Sequence, residues 1–170
     1  MRKTIHKKNS GFTLIELLLF MGIFSILIVV LLQLFVSIFD VHLESQATSA
    51  VASDGRFIIN KLTNDIKNAT GVTIPATAGA SMQTLVISNG VPTLTYKLTN
   101  NNLTVTDSSL SSTDQLNSTN SAVTSINFLR LSDTKGQNAN TITVTFTLNS
   151  TTQKRSGVSS EDFTFTVGTR

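Results

Sequence analysis

The chain contains no cysteine, and it has only two histidines, His6 and His42. Without cysteine it forms no disulfide and offers no thiolate ligand or nucleophile, so its folded part depends on packing and hydrogen bonds. Without a histidine beyond residue 42 it has neither a histidine-based triad nor a histidine metal cluster there. We therefore expect no enzyme, no bound metal and no cofactor.

Charged residues are also missing from residues 17–39, which form one uninterrupted apolar segment. As a helix this segment is roughly 34 Å long, enough to cross a bilayer core of about 30 Å. A cleavable secretory signal has a shorter apolar stretch of about 7–15 residues. The segment therefore predicts a membrane-spanning helix.

The basic residues Arg2, Lys3, Lys7 and Lys8 all precede this segment. They account for the basic character of the chain, because its formal charge of +3 becomes about −1 without them. The positive-inside rule places the N-terminus in the cytoplasm and the residues after about 40 outside it. The charge thus gives no support for nucleic-acid binding by the outer part.

Glu16 is an acid at the start of the apolar segment. A carboxylate inside a transmembrane helix costs about 2.5–3.5 kcal/mol and usually has a partner. If the chain were cut after Gly11, the free amine of Phe12 would lie one helical turn away and could serve as that partner. Alternatively, Glu16 lies in the headgroup layer, where an acid suits the N-terminal end of a helix dipole. The residues alone leave both interpretations open.

Residues 11–16 read Gly-Phe-Thr-Leu-Ile-Glu, with basic residues before them and apolar residues after them. This pattern resembles the class III signal of type IV pilins and type II secretion pseudopilins. The resemblance implies that a prepilin peptidase cleaves between Gly11 and Phe12 and that the new N-terminus of Phe12 is methylated. It also implies that Glu16 pairs with the N-terminal amine of an adjacent subunit during assembly.

The resemblance implies three parts: a cleaved leader at residues 1–11, a transmembrane helix and filament core at 12–39, and an extracytoplasmic pilin-like domain at 40–170. The helix is expected to continue to about residue 69, because apolar residues recur there at helical spacing. They are Val51, Ile58, Leu62, Ile66 and Ala69. Lys61 and Asp65 form an i,i+4 pair on another face, and Gly71 supplies a left-handed cap.

Beyond the helix, apolar residues alternate with threonines, as expected for half-buried strands. The clearest alternation covers residues 141–148 and 163–167, and weaker candidates are 84–88, 93–98, 102–106 and 123–131. Residues 107–121 are largely polar and predict an exposed loop or a poorly paired edge. The predicted fold class is α+β, a pilin-like fold in which a long N-terminal helix packs on an antiparallel β-sheet.

Two departures from the family pattern favour a minor subunit. Major pilins resemble one another in a C-terminal disulfide loop and in a helix-kinking proline, and here there is no cysteine and Gln33 occupies the proline position. Over most of residues 50–170, the succession of the long helix and the strand patterns along the sequence resembles that of J-type minor pseudopilins and their pilus counterparts. Expected partners are the prepilin peptidase, other subunits, an assembly platform membrane protein and inner-membrane lipid, with no small-molecule substrate.

Other interpretations are weighed against this one. A single-pass surface binding protein with a permanent anchor, or a competence pseudopilin for DNA uptake, is the alternative. A basic patch is conceivable from Arg130, Lys154, Arg155 and Arg170, but without interleaved aromatics a solvated face is favoured. The loop that begins at Asp133 lacks the ligand spacing of an EF-hand, so a plain turn is favoured over a calcium site.

Overall fold

The structure is a computed structural model that describes residues 11–90, 92–131, 140–155 and 157–169. In this part of the chain one helix is followed by nine strands. They are α1 Leu14–Asn68, β1 Gly71–Ile74, β2 Ser81–Met82, β3 Thr84–Ser88, β4 Thr93–Thr99, β5 Asn102–Asp107, β6 Ser112–Gln115, β7 Ser121–Arg130, β8 Thr141–Ser150 and β9 Ser160–Gly168.

The chain divides into two compact units, Met1–Val41 and His42–Arg170. All the strands lie in the second unit, and they form two antiparallel sheets rather than the single sheet expected. The first sheet has the order β1-β3-β4-β5-β6 and the second β2-β7-β8-β9. The α+β prediction is confirmed, and the division into two sheets is a correction, since strand partners are chosen by long-range contacts that alternation does not encode.

The second half of α1 forms one wall of the core. Its predicted apolar stripe is confirmed, because every member is at most 2% exposed. The helix ends at Asn68, one residue before the expected end. Gly71 is not a left-handed cap, because it does not have a positive φ and instead begins β1.

Gly55 lies on the same helix face, and its backbone faces the ring of Phe163 on β9 of the second sheet. An added Cβ at Gly55 would lie 2.2 Å from Cζ of Phe163, a distance that no real side chain tolerates. The Phe163 ring in turn stacks on Phe146 with ring centroids 5.0 Å apart. The glycine therefore admits an aromatic ring against the helix backbone, which explains a helix-weakening residue in the middle of α1.

The predicted pair of Lys61 and Asp65 forms, with 3.0 Å between Nζ and Oδ2. Asp65, however, is buried at 8% exposure and also accepts a hydrogen bond from the hydroxyl of fully buried Tyr96 on β4. Burial and this carboxylate raise the pKa of Tyr96 above its ordinary value. Asp65 therefore joins α1 to the first sheet through Tyr96, whereas the sequence had placed the Lys61–Asp65 pair on a separate face.

The core between the helix and both sheets is continuous. On β8 the alternation is as predicted, with Ile142, Val144, Phe146 and Leu148 fully buried. They join one cluster with the helix stripe and with Leu85, Ile87, Tyr96, Leu103 and Val105 of the first sheet. A single core thus stabilises the second unit.

The polar segment at residues 107–121 is more ordered than a long loop. Its centre, β6, pairs with β5 as the edge of the first sheet, which fits the poorly paired edge that the composition allowed. Asn117 is buried, accepts the N–H of Leu103 through Oδ1 at 2.9 Å and donates to the carbonyl of Ser121 at 2.8 Å. On α1, Asp54 accepts the N–H of Ser118 at 2.9 Å. Hydrogen bonds therefore hold this segment together with the buried side chain of Leu116, which joins the core.

Candidate functional site

The predicted processing junction lies directly before the first turn of α1. Residues 11–13 are irregular, and the helix begins at Leu14. Thr13 occupies the cap position: its carbonyl accepts the N–H of Leu17 at 3.1 Å, and its hydroxyl accepts the N–H of Glu16 at 3.4 Å. Threonine followed three residues later by glutamate is the sequence pattern of a capping box. The junction is thus a short segment outside a defined helix start.

Gly11 has open surroundings. A Cβ added to it would meet no atom within 4 Å, and its φ is not in the left-handed region. The folded chain itself therefore does not require glycine at this position. A requirement for glycine here would come from a partner that binds the segment, such as a protease that needs close access to the backbone.

Phe12, just before the helix, and Glu16, in its first turn, lie beside the same groove. They line a groove of about 340 Å³ that continues over Leu19, Ile23 and Leu27. Glu16 is exposed and lies in the first turn, where a negative charge interacts favourably with the helix dipole. The structure therefore fits the helix-start interpretation of Glu16, and it also leaves the carboxylate open to a partner outside the chain.

The described residues leave the apolar part of α1 exposed. Large apolar side chains from Leu17 to Phe39 are 40–69% exposed. Phenylalanine rings contact each other at i,i+4 spacing in two places: Phe20 contacts Phe24, and Phe35 contacts Phe39. Among the described residues this is the one helix long and apolar enough to cross a membrane. Such a surface is stable in lipid or against other apolar helices.

Two of the four residues considered for a basic patch, Arg130 and Lys154, have partners within the fold. The guanidinium of Arg130 donates to the carbonyls of Val72, Pro75 and Ala76 at 3.0–3.2 Å, so it holds the chain between β1 and β2. Lys154 pairs with Glu44, with 3.2 Å between Nζ and Oε1, and its side chain is 12% exposed. Arg170 and the turn at Asp133 lie outside the described residues.

Metal ligands are sparse in the described part of the chain. It holds no group of three or more histidine, cysteine, aspartate or glutamate residues placed to bind a metal ion. His42 lines a polar groove of about 480 Å³ together with Ser45, Ser49 and Asp54. The carboxylate of Asp54 already accepts hydrogen bonds from Ser118 and Ser121, so it serves the fold.

Among the described residues, a capped junction precedes one helix long and apolar enough to cross a membrane, and an α+β domain follows it, which is consistent with a membrane-anchored protein. The family model described as the prokaryotic N-terminal methylation motif matches residues 6–32. The chain therefore carries a class III prepilin signal, and this signal supports a relationship to the type IV pilins and pseudopilins. Proteins of that family are structural rather than catalytic. The comparisons with curated proteins and with solved structures give no match.

Sequence reasoning found the junction because all its residues are consecutive. It did not assign a role to Thr13, although the Thr-x-x-Glu pattern was readable. It also missed the exposed side chains of Phe57 and Leu110, which lie far apart in sequence and meet in one cleft. No periodic pattern indicates such a cleft, because Phe57 stands beside the buried stripe rather than in it.

Proposed function

We propose that the chain is a minor pilin or pseudopilin. It is a structural subunit that prepilin peptidase cleaves between Gly11 and Phe12 and methylates at Phe12, and that then enters or primes a type IV pilus or a type II secretion pseudopilus. The observation that carries the proposal is the methylation motif at residues 6–32, followed by an apolar helix with no cover of its own.

The proposal includes a location and a set of partners. The leader, residues 1–11, stays in the cytoplasm, residues 12–39 cross the inner membrane, and residues 40–170 lie outside the cytoplasm. The partners are the peptidase, sibling subunits, the assembly platform protein and membrane lipid. Missing cysteines and Gln33 in place of a proline support a minor role, and the order of helix and strand patterns along the sequence supports a J-type subunit.

Substitution of the residue before the cut tests processing. We expect Gly11→Ala to accumulate as uncut precursor in cells that contain the peptidase. The added Cβ meets no atom of the described residues within 4 Å, so a defect would reflect the peptidase and not the folded domain. Gly22→Ala is the matched control, because a Cβ there also has no neighbour within 4 Å. Normal maturation of Gly11→Ala, measured by intact mass, would exclude the class III interpretation.

Two substitutions at Glu16 separate its possible roles. We expect Glu16→Leu to be cut and inserted but absent from purified filaments. Glu16→Gln keeps a capping-box residue but removes the charge. If the charge pairs with an N-terminal amine of another subunit, Glu16→Gln is lost from filaments as well. Incorporation of both variants at the level of the unaltered chain would leave Glu16 with a helix-start role alone.

A further inference from the structure

A cleft lies between the second half of α1 and the hairpin of β5 and β6, within the His42–Arg170 unit. Its volume is about 240 Å³, and its apolar lining includes Leu94, Val105 and Leu116. Two large apolar side chains at the cleft remain open to solvent: Phe57 is 52% exposed and Leu110 is 73% exposed. The cleft therefore presents an aromatic and an aliphatic side chain that the domain does not bury.

The size of the cleft indicates what it accommodates. Pockets for small ligands and cofactors usually measure about 300–1,000 Å³, so this cleft is small for one. It is large enough for an aliphatic side chain of another protein. Interface residues that dominate binding are commonly single anchors that fill a pocket of this kind, surrounded by contacts that exclude water.

The charges around the cleft select the partner. Asp107 and Asp114 line it on the hairpin side, and Lys61 lines it on the α1 side, where its ammonium is paired with Asp65. Hydrogen bonds from the hydroxyl and the N–H of Ser109 hold the pKa of Asp107 below its usual value. The cleft thus combines an apolar floor with two carboxylates, and it fits an aliphatic side chain that stands beside a lysine or arginine.

We propose that this cleft docks a neighbouring, non-identical pilin-like subunit. The partner inserts an aliphatic side chain between Phe57 and Leu110 and places a cation against Asp107 and Asp114. This inference rests on the proposed function and extends it, since it assigns the side of the domain on which a sibling subunit is held. Because the proposed function makes this chain a minor subunit, the partner is expected to be a different chain.

Photo-crosslinking of the full-length chain in cells that assemble it tests the inference. A photoreactive benzoylphenylalanine replaces Leu110, and mass spectrometry identifies the adduct. The matched control carries the same group at Met82, which is 45% exposed on the second sheet. We expect the Leu110 position to capture a chain that itself carries a class III signal. Asp114→Lys should reduce this adduct by roughly fivefold or more, and Asp114→Glu should preserve it.

Several results would overturn the docking site. They are no adduct at Leu110, an equal adduct at Met82, an adduct that persists with Asp114→Lys, or capture of a second copy, a lipid or a protein without the signal. The intact mass of the same sample reports maturation at Gly11. A matured chain that enters filaments without a Leu110 adduct contradicts the docking site alone, whereas an uncut chain contradicts the proposed function.

Discussion

The two halves of α1 bury their apolar residues in different ways. From Leu17 to Phe39 the large apolar side chains are 40–69% exposed, whereas Val51, Ile58, Leu62 and Ile66 on the second half are at most 1% exposed. Both halves are one continuous helix. The second half has a core supplied by its own sheets, and the first half depends on lipid or on other subunits.

This difference separates folding from assembly. A substitution in the second half changes the free energy of unfolding of the domain, because it removes contacts inside the chain. Under the proposed function, a substitution in the first half is expected to leave that quantity unchanged and to act on insertion, processing or filament formation. This separation is tested by matched substitutions, one in the folded domain and one in the first half of α1.

The largest expected effect comes from a phenylalanine in the core. Phe146→Ala should lower the free energy of unfolding of the domain by about 3–5 kcal/mol, because it removes a fully buried ring. Phe24→Ala in the span, where the ring is 44% exposed, should leave it unchanged. Denaturant titration of the full chain in micelles, followed by the fluorescence of Tyr96, the single tyrosine, measures both. Equal effects would contradict the separation.

The next largest effect on the stability of the domain is expected from alanine at Gly55, compared with alanine at Gly22. Gly55→Ala should destabilise the domain by about 1–3 kcal/mol, because the new methyl displaces the Phe163 ring. Gly22→Ala adds a methyl with no neighbour, so it should leave the domain unchanged and slightly favour the helix. The same titration applies. Gly55→Ala with unchanged stability would mean that the ring moves away without cost.

The stability of the domain should also fall in alkaline solution. The folded-state pKa of Tyr96 is raised by burial and by Asp65, whereas the unfolded chain ionises at a pKa of about 10. The contribution of Tyr96 is therefore fully present below about pH 10 and is lost as the pH rises above it. Phenolate absorbance should appear only as the domain unfolds, and Tyr96→Phe should lack this alkaline loss. A phenolate in the folded domain near pH 10 would contradict the buried hydrogen bond.

The smallest expected effect concerns the helix start. Thr13→Ala should destabilise the first turn of α1 by about 1 kcal/mol, because the Glu16 N–H loses its acceptor. Amide hydrogen exchange of residues 14–17 in micelles should become faster, whereas Ser25→Ala inside the span should leave those rates unchanged. Unchanged exchange in Thr13→Ala would show that the cap contributes nothing to this end of the helix.

Most of the fold could be predicted from local sequence patterns. The α1 stripe and the alternation on β8 were readable because each depends on one residue type recurring along one element. The strands β1, β2 and β6 escaped prediction because they have four, two and four residues, too few for a pattern. The role of Gly55 was unreadable as well, since it depends on Phe163, a residue more than a hundred positions away.

The candidate sites differ in the same way in how far the sequence could predict them. Gly11, Phe12 and Glu16 form a local motif, so the sequence predicted the processing junction in full, and their roles stay predictions until maturation is measured. The cleft at Phe57 could not be predicted, because α1, β4, β5 and β6 all contribute to it. Its carboxylates are ordinary surface residues until the fold places them beside an exposed ring.

The most direct test of the central claim is the intact mass of the chain extracted from membranes of cells that express the peptidase. A processed subunit is expected to lack residues 1–11, to begin at Phe12 and to carry one methyl group on its N-terminal amine. A chain that retains residues 1–11 in the presence of active peptidase would instead be a permanently anchored surface protein, and it would contradict the account.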